Sequence, residues 1–287
     1  MVRIQRIAAT LCGAFVLLII WGCTFAWRRL PYYTDYGEVV LRVPVMSEAG
    51  YDSVFETHAR PYVYELEFDS GAVLIYGAEH TKDPADSQIA DIETRWRQFQ
   101  PTIALCESRL GILFPGIMNP VREMGEAGWT HYLARRDGVP TFSWEPTPAV
   151  LMEQMLRLPY SREQIALRLK LGPYFSNRRN GRPDSPEAYI EDYLGASDRW
   201  PGLETTLINI PEIDACWKRN FQNGPDWREV SDEHDLPGFL DSISTNPARD
   251  EHFVRVVIDL VKRGERVFAV AGSSHAFKLE PALRGAR

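Results

Sequence analysis

Cysteine is scarce in this chain, and its placement rules out one kind of site. Of four cysteines, Cys12 and Cys23 fall in an apolar N-terminal run, and the remaining two, Cys106 and Cys216, are too far apart for a metal-binding motif. Those two either pair in an oxidising compartment or sit apart as small buried hydrophobes. Runs of lysine and arginine are also missing, and the formal net charge is -7, which argues against nucleic acid as a partner. No Gly-x-Ser-x-Gly elbow surrounds Ser273 or Ser274, so these serines suit a helix N-cap better than a nucleophile. Histidine is sparse too, at six residues, so a repeated histidine motif carries weight.

Such a repeat is present. Residues 72–84 and 265–283 each contain an apolar β-type run that breaks at a glycine, with a histidine three positions later: Gly77 with His80, and Gly272 with His275. A glycine closing a buried strand allows a sharp turn, so the next side chains are presented at the sheet edge. Open α/β sheets bind ligands beyond the carboxyl ends of their strands. If the two strands are neighbours, both imidazoles face one crevice. His58, His131, His234 and His252 lack a partner motif and read as surface or packing histidines.

Charge is absent from residues 7–27, with Arg3 and Arg6 before the run and Arg28 and Arg29 after it. At about 1.5 Å per residue it is long enough for a hydrocarbon core of about 30 Å. It reads as a membrane anchor or uncleaved signal, with the body extracytoplasmic, periplasmic or at the cell surface. A lipoprotein attached through Cys23 is the competing reading.

The body predicts an α/β class: a mainly parallel central sheet flanked by helices, with a helical insertion and an N-terminal transmembrane or signal helix. Residues 1–29 form the anchor or signal, 30–60 a Tyr- and Pro-rich lead-in lying over the domain, and 61–287 the α/β domain. Strands are expected at 62–68, 72–76, 102–106, 140–144 and 266–271, the first two as a hairpin. Helices are expected at 86–99 and 249–263, where apolar residues recur at spacings of three and four, and at 120–136, stopped at Gly138. Between about 147 and 246 the pattern is purely helical, at 148–157, 162–171, 186–194 and 202–220, with Trp200, Trp217 and Trp227 packing it.

His80, Glu107, Arg109, Glu145, Arg249, Asp250 and His275 all fall at carboxyl ends of strands or amino ends of helices. Two imidazoles with one or two carboxylates suit a divalent transition metal with open positions. Such a metal lowers the pKa of its water, with a glutamate as base and an arginine at the developing oxyanion. His80, Glu107 and His275 are the candidate metal ligands, and Glu107, Arg109, Glu145 and Arg249 the candidate catalytic residues.

At these residues the chain resembles the TraB/GumN and Tiki family, within a broader set that includes erythromycin esterase and ChaN-like haem binders. Gly77-Ala78-Glu79-His80, Cys106-Glu107-Ser108-Arg109, Arg249-Asp250 and Val270-Ala271-Gly272-Ser273-Ser274-His275 carry the resemblance. It covers roughly residues 61–145 and 249–283. The chain departs from the usual pattern at Ala78-Glu79 and in lacking a glycine soon after His275. The resemblance implies an α/β core and a metal-dependent hydrolase of peptidase or esterase type, with a peptide or small-molecule ester as substrate and manganese, cobalt or zinc as cofactor. It also implies His80, Glu107 and His275 as site residues, with Arg109 and Arg249 beside them. Its alternatives are a haem or other ligand-binding protein, or a non-catalytic domain of the same fold.

Overall fold

A computed structural model describes Trp27 and residues 29–177, 183–195, 199–230 and 236–287. The apolar segment 7–27, apart from Trp27, and His234 lie outside the described residues. Among the described residues no helix is long and apolar enough to cross a membrane. The chain divides into two compact units, Met1–Glu145 with Asp250–Arg287, and Pro146–Arg249.

The first unit is built on five strands: β1 (Tyr62–Glu67), β2 (Ala72–Ala78), β3 (Ile103–Cys106), β4 (Thr141–Ser143) and β5 (Arg266–Gly272). Their order is β1-β2-β5-β3-β4, with β1 antiparallel to β2 and every other pair parallel. The two central strands β2 and β5 are near-continuously apolar, as expected of strands covered on both faces.

A short helix in the lead-in, α1 (Glu48–Asp52), is followed by α2 (Ser87–Phe99) and α3 (Pro120–Asp137). Ile92, Trp96 and Phe99 of α2 and Leu133 of α3 pack on Leu74, Tyr76 and Phe268, covering one face of the sheet. Asp86 caps α2 by accepting from the Gln88 amide, so the predicted start lies one residue early.

Two C-terminal helices, the ninth and tenth among the described residues, cover the opposite face. They are α9 (Asn246–Lys262) and α10 (Ser273–Arg284). Phe253, Val257, Val261 and Leu279 pack there on Val73, Ile75, Val267 and Ala269. Each such side chain, fully buried, contributes roughly 1.5–3 kcal/mol.

Two sequence expectations need correction here. Helix α9 begins three residues earlier than predicted, which places Arg249 and Asp250 inside its first turns. Gly272, not Ser273 or Ser274, occupies the N-cap of α10, so the serines start the helix rather than cap it. The lead-in packs as part of this unit: Tyr33 donates to the Ser143 carbonyl at 3.1 Å and Ser143 to the Pro31 carbonyl at 2.8 Å. That segment covers the otherwise open edge of β4, which would be a template for unwanted pairing.

The second unit holds α4 (Pro148–Met155), α5 (Arg162–Asn177), α6 (Pro186–Leu194), α7 (Ile210–Asn220) and α8 (Phe239–Ser242), with no strand among its described residues. Trp200, Trp217 and Trp227 are buried with Tyr174 and Phe175 in its core. Helix α5 continues past the predicted stop at residue 171 and carries Pro173 internally. Helix α7 starts eight residues later than predicted, because Asn209 caps it by accepting from the Glu212 amide at 3.0 Å. The preceding turn is held instead by buried Lys170, whose Nζ gathers the Leu203, Thr206 and Leu207 carbonyls. Cys106 and Cys216 are both buried free thiols, one in each unit.

Candidate functional site

Strands β2 and β5 are parallel neighbours, with Gly77 opposite Ala271 and Ala78 opposite Gly272. The two histidine motifs therefore leave the sheet side by side in the first unit. The chain turns from β5 into α10 at Gly272, but neither glycine has a positive φ, so each is there for the space it leaves rather than for backbone freedom. Gly77 lets β2 approach α10: a Cβ there would lie 2.5 Å from the Ala276 Cβ and 2.8 Å from the Tyr62 carbonyl oxygen. Gly272 makes room for an imidazole, because a Cβ there would lie 3.1 Å from His80 Nε2 and 3.8 Å from His275 Cδ2.

His275 is almost buried, with 8 % of its side chain exposed, and Asp250 is 1 % exposed. A short contact joins His275 Nδ1 to Asp250 Oδ1. The other Asp250 oxygen lies 2.8 Å from the buried Lys278 ammonium, which also reaches Glu48 of α1 at 2.9 Å. Burial works to raise the Asp250 pKa, but the His275 hydrogen bond and the charges of His275 and Lys278 outweigh it, so the carboxyl is held below its ordinary value. Trp144 flanks the imidazole edge-on at 5.4 Å, stacks on Phe253 and donates to the Val270 carbonyl at 3.1 Å.

With its Nδ1 engaged, His275 directs Nε2 towards Glu107, whose Oε1 is 3.9 Å away. That is too long for a hydrogen bond. The second Glu107 oxygen accepts from the Gly272 amide at 3.0 Å, and the Glu107 amide donates to the Val270 carbonyl at 3.2 Å. Glu107 is thus pinned to the end of β5, and the next residue, Ser108, is bent to a φ of 64°.

His80 is 64 % exposed at the side chain, and its Nδ1 lies 3.5 Å from Oε2 of buried Glu126. Glu126 also accepts from the Thr81 amide in a short contact. Gln88 holds the preceding backbone from the other side, accepting from the Glu79 amide and donating to its carbonyl, both at 2.9 Å. Glu126 reaches this loop because α3 is broken at Gly125, with φ 59° and ψ -147°, where a Cβ would lie 2.9 Å from the Thr81 carbonyl oxygen. A cleft of about 360 Å³ opens here, lined by His80, Glu107, Ser108, Leu110, Met124 and Glu126 among others.

The structure thus brings together His80, Glu107, Asp250 and His275. Arg109 is engaged elsewhere: its Nε donates to the Leu30 carbonyl at 2.9 Å and its guanidinium lies 4.7 Å over the Tyr32 ring, so it clasps the lead-in. Glu145 follows the edge strand β4, with its amide donating to Ser143 Oγ at 3.3 Å. Arg249 belongs to the second unit, where it donates to Asn246 at 3.1 Å.

Sequence reading missed Glu126, Lys278 and Trp144. A signal for the first exists in Gly125-Glu126-Ala127-Gly128, two glycines inside a helix that they weaken. Among the described residues no group of three His, Cys, Asp or Glu side chains is already gathered to hold a metal ion. The donor types nonetheless fit one: two imidazole nitrogens and a carboxylate oxygen suit manganese, cobalt or zinc. No family model, curated protein or solved structure matches the chain.

Proposed function

We propose that the first unit is a divalent-metal-dependent hydrolase of peptide or ester bonds, anchored to a membrane through residues 7–27 with its body outside the cytoplasm. One observation carries this reading: each imidazole has a buried carboxylate at Nδ1, Glu126 at 3.5 Å from His80 and Asp250 bonded to His275. A carboxylate at Nδ1 fixes the tautomer, leaves Nε2 as the lone-pair nitrogen and raises its basicity, as is usual behind metal-bound histidines.

His80 and His275, through Nε2, and Glu107 are the residues that would hold the ion. When bound, such an ion lowers the pKa of a water and polarises a substrate carbonyl. The protein's own groups do the rest. Glu107 accepts from the Gly272 amide, which holds its carboxylate at the end of β5 in position as a ligand. Asp250, tied by Lys278, holds the His275 ring in place, and Trp144 packs against its edge.

The test is turnover of a peptide and ester panel by the full chain. Glu107→Gln and His275→Ala abolish turnover, and Asp250→Asn lowers it by about 10–100-fold, the usual effect of losing a carboxylate behind a ligand. Undiminished turnover in Glu107→Gln overturns the proposal.

A further inference from the structure

Between β3 and α3 the chain makes an excursion, residues 110–118, that carries two large apolar side chains into solvent: Ile112 is 62 % exposed and Ile117 73 % exposed. Leu113 between them is fully buried and ties the excursion to the point where the chain enters the described fold. Trp27 donates to the Leu113 carbonyl at 2.8 Å, and Leu113 to the Trp27 carbonyl at 3.4 Å. Trp27 is also the last residue of the charge-free run 7–27.

The surroundings of Trp27 have the chemistry of a membrane–water boundary. Its ring meets His131 edge-on at 4.8 Å and lies 6.2 Å from Tyr132, which is itself exposed and stacked on Trp129. The Arg135 guanidinium sits 5.8 Å from the same ring, and Arg29 and Arg122 are exposed. Trp27 is itself buried, so the interfacial groups are its exposed neighbours: tyrosine and arginine at the end of an apolar span settle at headgroup level, the ring half in and the cations towards phosphate. Ile112, next to the bridged Leu113, and Ile117, four residues further on, are therefore exposed apolar side chains close to the end of that run.

We propose that residues 110–118 dock on the lipid bilayer that holds residues 7–27, with Ile112 and Ile117 entering its interfacial layer. The proposal rests on the membrane reading of residues 7–27 and is independent of the hydrolytic chemistry. It has a consequence for access: Leu110, which opens the excursion, lines the cleft with Ser108, so docking sets the mouth of the cleft at the bilayer surface.

The test uses the full chain in vesicles of mixed zwitterionic and anionic phospholipid. Ile112, Ile117 or Val40 is replaced in turn by the photocrosslinking residue p-benzoylphenylalanine. Val40 is the control because it is 79 % exposed and follows Val39, which packs with α9 on the opposite side of the sheet. The expected result is phospholipid adducts at positions 112 and 117 and none at 40. Absence of phospholipid adducts at both positions, or adducts only to residues 1–26 or to a second copy of the chain, overturns the proposal. Retention on the vesicles after an alkaline wash reports the anchor separately, so loss of the anchor reading and loss of the docking reading give different results.

Discussion

Acidification from about pH 7 to about pH 5 destabilises the first unit through two histidines outside the site, His131 and His252. Both are buried, at 6 % and 3 % exposure, and His131 Nδ1 and His252 Nε2 have no hydrogen-bond partner among the described residues. Burial first, and then the charges of Arg135 and Arg255, push their pKa values down to about 4 from an ordinary 6.5. The unfolded chain takes up protons as pH falls through 6.5, whereas the folded chain stays neutral until about 4. The stabilisation is therefore complete above 6.5 and is lost as pH drops through that window. At about 1.4 kcal/mol per pH unit, each histidine costs about 2 kcal/mol by pH 5, and the pair roughly 4 kcal/mol.

The control is the double variant His131→Phe/His252→Phe. It keeps rings against Trp27 and Tyr36, which the histidines meet edge-on at 4.8 and 5.1 Å, and has nothing to protonate. Its stability at neutral pH is lowered by the lost Tyr36 hydroxyl contact to His252 Nδ1, 3.0 Å in the native protein. Urea unfolding at both pH values, on both proteins, measures the effect, because all other titrating groups are shared. The wild type loses about 4 kcal/mol more than the variant on acidification. Equal losses in the two proteins refute the assignment of these histidines as buried and neutral.

Asp250→Asn leaves the buried Lys278 ammonium without its fully buried counter-charge, which costs about 3 kcal/mol in a thermal or urea melt. Adding Lys278→Met recovers part of that loss, and a double variant no more stable than Asp250→Asn alone contradicts the pairing. Gly77→Ala places a Cβ within 2.5 Å of Ala276 and costs about 1–3 kcal/mol by overpacking. Ala276→Gly relieves part of it, and an unchanged melting temperature for Gly77→Ala shows that β2 and α10 are less closely packed than described.

What could be read from the sequence follows periodicity. The alternation of β runs and amphipathic helices in residues 62–145 and 249–271 indicates a sheet covered on both faces, and all five predicted strands form, each within two residues of its expected ends. Strand order was beyond such reading: β5 inserts between β2 and β3, and only tertiary pairing decides that. The same insertion is what makes the two histidine motifs neighbours, so their sequence likeness was informative only once the sheet was assembled.

Asp250 was legible as a group at the right sheet edge, because a helix preceding a parallel strand brings its amino end there. Its bond to Nδ1 was not. Glu126 and Lys278 escaped notice because each looks like an ordinary helical surface residue; burial by packing, at 4 % and 1 % exposure, gives them their roles. Arg109 misled for the opposite reason. Its neighbour Glu107 belongs to the site, but the turn at Ser108 and the packing of the lead-in give the arginine to Leu30 and Tyr32.

The most direct test of the central claim is the metal content of the full chain, purified in detergent without chelator, beside a His80→Ala/His275→Ala double variant. The expected result is a near-stoichiometric manganese, cobalt or zinc in the native chain, retained from purification or taken up on loading, that the double variant cannot hold. A native chain that binds none of the three ions after loading, or a double variant that binds them equally well, contradicts it.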